Sequence, residues 1–225
     1  MTEPSEPPEP LKSEPDAPVA PISKGDEGAE QPRMRRRPRP GERKVQILQM
    51  LAGMLQQRGF ERVTTAALAK ELGVSEAALY RHFASKAQMF EGLLEFIETS
   101  VFTLANRIAE REDIDGAEQA RQIVSVLLKF AEKNPGMTRV MVGDALVFEN
   151  ERLFVRMNQF FDRLESMLRG CLRAFYQHGG HPSPTAEAQV RASVLVSFAM
   201  GRMQRYARTR FKRLPTEHLP EALMP

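Results

Sequence analysis

Residues 64–83 read TTAALAKELGVSEAALYRHF, and the fold is decided there. The stretch divides into two short helices around one sharp corner. Thr64 or Thr65 is placed to cap the first, Ala66 to Leu72, by offering a side-chain oxygen to an orphan N–H of the first turn. Gly73 follows, and glycine there lets the chain turn through a left-handed conformation without a Cβ penalty. Val74 fills the corner, and Ser75 caps the second helix, Glu76 to His82. Leu68, Leu72, Val74 and Leu79 are spaced to meet between the two. This is the pattern of a helix-turn-helix, whose second helix is free to enter a DNA major groove.

The second helix begins with the small, polar run Ser75, Glu76, Ala77, Ala78. Small residues let a helix backbone approach base edges, and alanine can meet a thymine methyl. It ends in Tyr80, Arg81, His82, Phe83, and Lys86 opens the next helix after Ser85. Tyr80, His82 and Lys86 suit phosphate oxygens, and the positive N-terminus of the helix that Ser85 caps suits them too. With Thr64, Thr65, Ser75, Glu76, Ala77, Ala78 and Arg81, these are the candidate contacts to double-stranded DNA. A plain helical hairpin with a solvated polar face is the competing reading, and the density of agreeing positions counts against it.

Leu79 to Phe83, followed by Ser85 and Lys86, resembles the TetR family of DNA-binding regulators, in which the recognition helix ends in Tyr-x-His-Phe and a lysine opens the fourth helix. The likeness covers about residues 42–96. It implies an all-α, TetR-like fold with a three-helix DNA-binding domain at 41–88, a helical dimerisation and partner-binding domain at 89–215 and a tail at 216–225.

Residues 1–40 are different material. They carry ten of the 16 prolines and almost no large apolar residue. Such a segment cannot offset its ordering entropy and is expected to be disordered. Residues 1–31 hold eight acidic residues against two lysines. Arg33, Arg35, Arg36, Arg37 and Arg39 then crowd together immediately before the first helix. They read as a basic arm for phosphates or a minor groove, or as a solvated linker.

The rest of the chain is helical by periodicity. A first helix, about 41–58, presents Val45, Ile47, Leu48, Leu51, Met54 and Leu55 to the helices beyond. A long helix from Lys86 to about Arg111 carries a stripe from Met89 and Phe90 through Phe96 and Leu104 to Ile108. Further helices are expected over about 117–133, 137–146, 150–176 and 185–211, with Asn134-Pro135-Gly136 as a stop. From Val194 to Met200 the last is apolar nearly all round. A helix of that kind must be covered on both sides, and a second copy of the same helix covers it, giving a homodimer seam that includes Phe160, Val190, Val194 and Phe198. The alternative is a core helix of one large domain. A dimer also matches two recognition helices to two half-sites. Beyond Met200 the helix turns basic, from Arg202 to Arg213, which suits its dipole or a second anionic surface.

Hydrophobic content of 42% and a net charge of +3 with pI near 9.2 describe a globular chain compatible with a polyanionic partner. Cys171 is the single cysteine, so no internal disulfide or zinc cluster is expected, and a reduced cytoplasmic setting fits. No apolar run reaches the ~18 residues of a membrane span. His82, His178, His181 and His218 lack a second ligand at metal spacing, and no glycine-rich phosphate loop appears. We expect no cofactor, no metal, no membrane partner and no catalytic activity.

Over about residues 42–217 the resemblance narrows to a nucleoid-occlusion branch of the TetR family. It is carried by SEAALYRHF, Phe96-Ile97-Glu98, Asn134-Pro135-Gly136 with Thr138-Arg139, residues 145–149 (ALVFE) and the stretch around Phe211-Lys212. That resemblance implies a DNA-bound dimer, with several dimers on one site, that engages the tail of the tubulin-like division protein FtsZ and blocks ring assembly. It implies Phe96, Lys133 and Asn134 as tail contacts. Leu104 and Lys129 depart from the pattern, with Arg107 able to replace the missing charge. A ligand-responsive repressor of the same fold is the other reading, and an interior cavity would mark it. The large apolar residues Phe130, Phe154, Met157, Phe160 and Phe161 point to a filled core instead.

Overall fold

The computed structural model describes residues 41–57 and 63–223; the 1–40 segment with its arginine arm, and the end of the first helix at Arg58, lie outside the described residues. Those described fold into nine α-helices and one 3-10 turn, with no strand among them. Helix α1, Glu42–Gln56, buries Ile47, Leu51, Met54 and Leu55. Val45, expected on the same face, is exposed. Helices α2 (Thr65–Leu72) and α3 (Glu76–Tyr80) pack beside it, with Leu68 and Leu79 nearly inaccessible between them. Gly73 takes φ 64°, the left-handed turn that glycine adopts without strain. Helix α3 stops two residues short of His82, and residues 81–82 form a turn.

Helix α4, Lys86–Ala109, leads out of this unit and turns back antiparallel as α5, Gly116–Lys133, with Asp115 as its cap. Pro135 then opens α6, Pro135–Met141, since proline's missing N–H is no loss in a first helical turn. The helix expected over 137–146 is therefore broken: Gly143 has φ 85°, and a 3-10 turn follows at Asp144–Leu146. Helices α7 (Glu151–His178) and α8 (Pro184–Arg208) pair along their length. A last short helix, α9 (Leu219–Ala222), brings Leu219 and Leu223 onto the outer side of α5, near Ser125 and Lys129.

Two close approaches lock the body. A Cβ on Gly136 would fall 1.9 Å from the carbonyl oxygen of Ala52, so α6 lies directly on the backbone of α1. Gly116 meets the Cys171 carbonyl in the same way, joining α5 to α7. Charge ties α7 to α4. Arg152 pairs with Glu91 at 2.8 Å, and Arg156 grips Glu98 through two nitrogens at 2.9 and 2.7 Å. The bond to Glu98 raises the Arg156 pKa above its ordinary value.

Candidate nucleic-acid interface

The helix-turn-helix is fastened by its own polar side chains. Thr64 accepts from the Ala67 N–H at 3.1 Å and Ser75 from the Ala78 N–H at 3.3 Å, each satisfying a helix-end donor. Thr65 stands at the junction. Its hydroxyl donates to Glu76 Oε2 at 2.7 Å and accepts from the Tyr80 hydroxyl at 3.4 Å. Thr65, Glu76 and Tyr80 thus converge on one outward surface, with Ala77 exposed and Ala78 half-buried beside them. Arg81 is exposed and His82 half-buried. Ser85 caps α4 by accepting from Gln88 N–H, while Gln88 returns a bond to the Ala84 N–H at 2.8 Å.

Lys86 is differently placed from the free cation its position implies. Its ammonium pairs with Glu149, a nearly buried carboxylate in the turn before α7, and lies 5.7 Å from the Phe90 ring. No local signal announces that pair, because 63 residues separate its members. Lys44, which the sequence reading passed over, sits above the Phe83 ring at the edge of the same unit.

The second candidate surface lies along α4 and α5. Phe96 is 49% exposed and leans on the Phe130 ring at 6.4 Å. Asn134 donates to the Phe130 carbonyl at 2.8 Å, and Lys133 beside it is exposed. Phe96 and Asn134 thus both meet Phe130, one through its ring and one through its carbonyl, and Lys133 is the residue before Asn134. Arg107 is not with them: it lies eleven residues along α4, about 16 Å away at 1.5 Å per residue, toward the α4–α5 loop. Phe96 and Leu104, both expected in the buried stripe, face outward. A groove of about 510 Å³ runs from His82 and Phe83, past Lys44 and Gly92, to Phe96, so the end of the helix-turn-helix and the Phe96 surface share one concavity. Arg139 stands apart, stacked on Phe211 at 5.5 Å with its Nε buried and unpaired.

Residues 47–93 match the profile of bacterial regulatory proteins of the tetR family, and residues 116–223 match that of the tetracyclin repressor-like C-terminal domain, SlmA-like. The nucleoid occlusion factor SlmA of Aliivibrio fischeri (strain MJ11) is 50% identical over 185 residues, which is 82% of this chain and 93% of that protein. SlmA of Vibrio vulnificus (strain YJ016) is 49% identical over 180 residues, 80% and 91% of the two chains.

The chain belongs to the SlmA family. Solved structures agree on the fold: a TetR-like regulator from Rhodococcus sp. RHA1 superposes with TM-score 0.63 at 22% identity, over 84% of this chain and 96% of that one. FadR from Bacillus subtilis, solved with stearoyl-CoA, gives 0.62 at 16% identity, over 80% and 95%. In this SlmA-family chain the residues expected at a dimer seam divide. Val190 and Val194 are 58% and 56% exposed on α8, and Phe198 is half-buried under Arg202. Phe160 needs correction: it is 2% exposed within the single chain, held between Phe102 and Phe161 at 5.2 and 5.1 Å, and is core. Met157, Phe160 and Phe161 are buried, as expected of a filled core. An open cleft of about 330 Å³ lies between α6, α7 and α8, lined by Phe154, Met157, Phe161, Met141 and Met203. Among the described residues no cluster of three metal-ligating side chains exists, and no helix is long and apolar enough to cross a membrane.

Proposed function

We propose that this protein is a nucleoid occlusion factor: a homodimer that binds specific chromosomal DNA through α3 and, while bound, holds the FtsZ tail beside Phe96 to prevent ring assembly over the nucleoid. The observation that carries it is half-identity to curated nucleoid occlusion factors over nine-tenths of their length, in a chain whose helix-turn-helix is intact. The half-exposed Phe96, on the Phe130 ring whose carbonyl Asn134 holds, supports the partner surface. An apolar side chain there, flanked by a cation, fits a peptide that is both apolar and acidic. Val190 and Val194 support the dimer, since two large exposed aliphatics one helical turn apart are covered when α8 meets its copy. The arginine arm, Arg33 to Arg39, which precedes α1 in the sequence, adds phosphate contacts.

Ala77→Glu tests the DNA half. A carboxylate on the exposed first turn of α3 is expected to abolish specific binding, and with it the division block on overproduction, at unchanged thermal stability. Specific binding retained by this variant would remove α3 as the recognition helix.

One observation favours a second reading, a ligand-responsive repressor. The open cleft of about 330 Å³ carries Asn158 and Gln204 on an otherwise apolar wall, at the lower end of the ~300–1,000 Å³ that ligand sites occupy. Release of DNA by a small apolar ligand, saturably, would select it.

A further inference from the structure

The end of α8 carries cations that the proposed function leaves unused. Two are engaged: Arg202 donates to the Glu217 carbonyl at 2.7 Å, and Arg213 meets the Glu217 carboxylate at 3.4 Å. Arg205, Arg208, Arg210 and Lys212 are exposed, and none pairs with a carboxylate among the described residues. The helix dipole accounts for cations within the last turn. It does not account for Arg210 and Lys212, which lie beyond the helix.

An uncommon backbone sets the position of these two. Arg210 and Phe211 have φ of 55° and 62°, a left-handed conformation that residues with a side chain disfavour. The surroundings hold it. The Phe211 N–H donates to the Tyr206 carbonyl at 2.8 Å, and the Phe211 ring lies edge-on to Tyr206 and beneath Arg139 of α6. The Tyr206 hydroxyl donates to the Glu132 carbonyl at the end of α5. The turn is thus bolted to α5 and α6, and α6 lies on α1 through Gly136 and Ala52. The cations sit at the end of the body nearest the DNA-binding unit.

We propose that Arg205, Arg208, Arg210 and Lys212 form a second phosphate-binding surface, which holds the backbone of the same DNA that α3 engages. The inference rests on the DNA reading above. Three of the four are arginines, whose planar fork matches phosphate oxygens. Their mutual repulsion is relieved by a polyanion, and Leu214 is the one large apolar side chain exposed in that stretch, which disfavours a peptide needing apolar anchors.

The test compares the full-length protein with a variant in which Arg205, Arg208, Arg210 and Lys212 are all glutamine. The probe is a 40-base-pair mixed-sequence duplex, titrated from ~50 to ~200 mM salt. Each lost phosphate contact lowers the slope of log K against log salt by about 0.9. The variant is expected to lose a slope of about 2–4 and about tenfold or more in affinity at the lowest salt, with melting temperature and oligomeric mass unchanged. Equal slopes and affinities overturn the second surface while leaving the DNA reading intact. A wild-type protein that binds no duplex overturns both. Vesicles of anionic phosphatidylglycerol form the other arm: loss of vesicle binding alone, with DNA binding untouched, overturns the proposal in favour of a membrane-facing patch.

Discussion

Lys86, the first residue of α4, places its ammonium on Glu149, the residue before the Asn150 cap of α7. One end of that pair belongs to the element that follows the recognition helix, and the other to the body. Val147 and Phe148, both exposed, immediately precede Glu149. A phosphate that draws Lys86 away leaves a nearly buried carboxylate without its cation. The proposed phosphate contact of Lys86 would therefore be made against this pair.

Glu149→Gln keeps the shape and removes the charge. We expect the salt slope of DNA binding to steepen by about 0.9, one phosphate contact, with affinity rising several-fold. Unfolding stability should fall by about 1–3 kcal/mol, the scale of a charge-assisted hydrogen bond. Titration against duplex DNA and urea unfolding check both. Unchanged DNA binding together with unchanged stability would show that the pair contributes to neither.

Gly136 and Gly53 form an internal control for the seam between α1 and α6. A methyl on Gly136 meets the Ala52 carbonyl, whereas one on Gly53, within α1, meets nothing within 4 Å. Gly136→Ala is expected to lower stability by about 1–3 kcal/mol through overpacking and to weaken DNA binding as α1 shifts. Gly53→Ala is expected to raise stability by about 0.5–1 kcal/mol through helix propensity. Chemical denaturation of both variants reads the difference, and equal midpoints would contradict the close packing.

The helix-turn-helix was legible because its signals are local: Thr64, Gly73 and Ser75 each act within three or four residues. The long helices were legible from their apolar period. Fates that depend on another element were not. Periodicity puts Phe96 on the same stripe as Leu93 and Ile97, yet it lies at the margin where α5 covers α4 only as far as Phe130. Phe160 reads as seam or core equally well until the Phe102 ring is placed against it. Gly143 gave the sequence no periodic break, but its left-handed turn splits the helix expected there. The ion pairs of Lys86 with Glu149, and of Glu91 and Glu98 with α7, join residues about sixty apart and leave no trace in spacing.

Val194→Asp tests the dimer. A carboxylate on the exposed face of α8 cannot be covered by its copy without desolvation. Sedimentation is expected to show monomer where the unaltered protein shows dimer, with helix content retained. DNA affinity should drop by at least about tenfold as one of two half-site contacts is lost. A variant that stays dimeric would move the seam away from Val194.

The central claim is that DNA-bound protein holds the FtsZ tail at Phe96. The most direct measurement is fluorescence anisotropy of a labelled FtsZ C-terminal peptide titrated with wild-type protein and with Phe96→Ala combined with Lys133→Glu, each with and without specific DNA. The account predicts saturable binding by wild type, on the order of micromolar and tighter with DNA as dimers gather on one site. It also predicts loss of peptide binding in the double variant with DNA affinity intact. No binding of the peptide to wild type on DNA, or equal binding by the double variant, would contradict it.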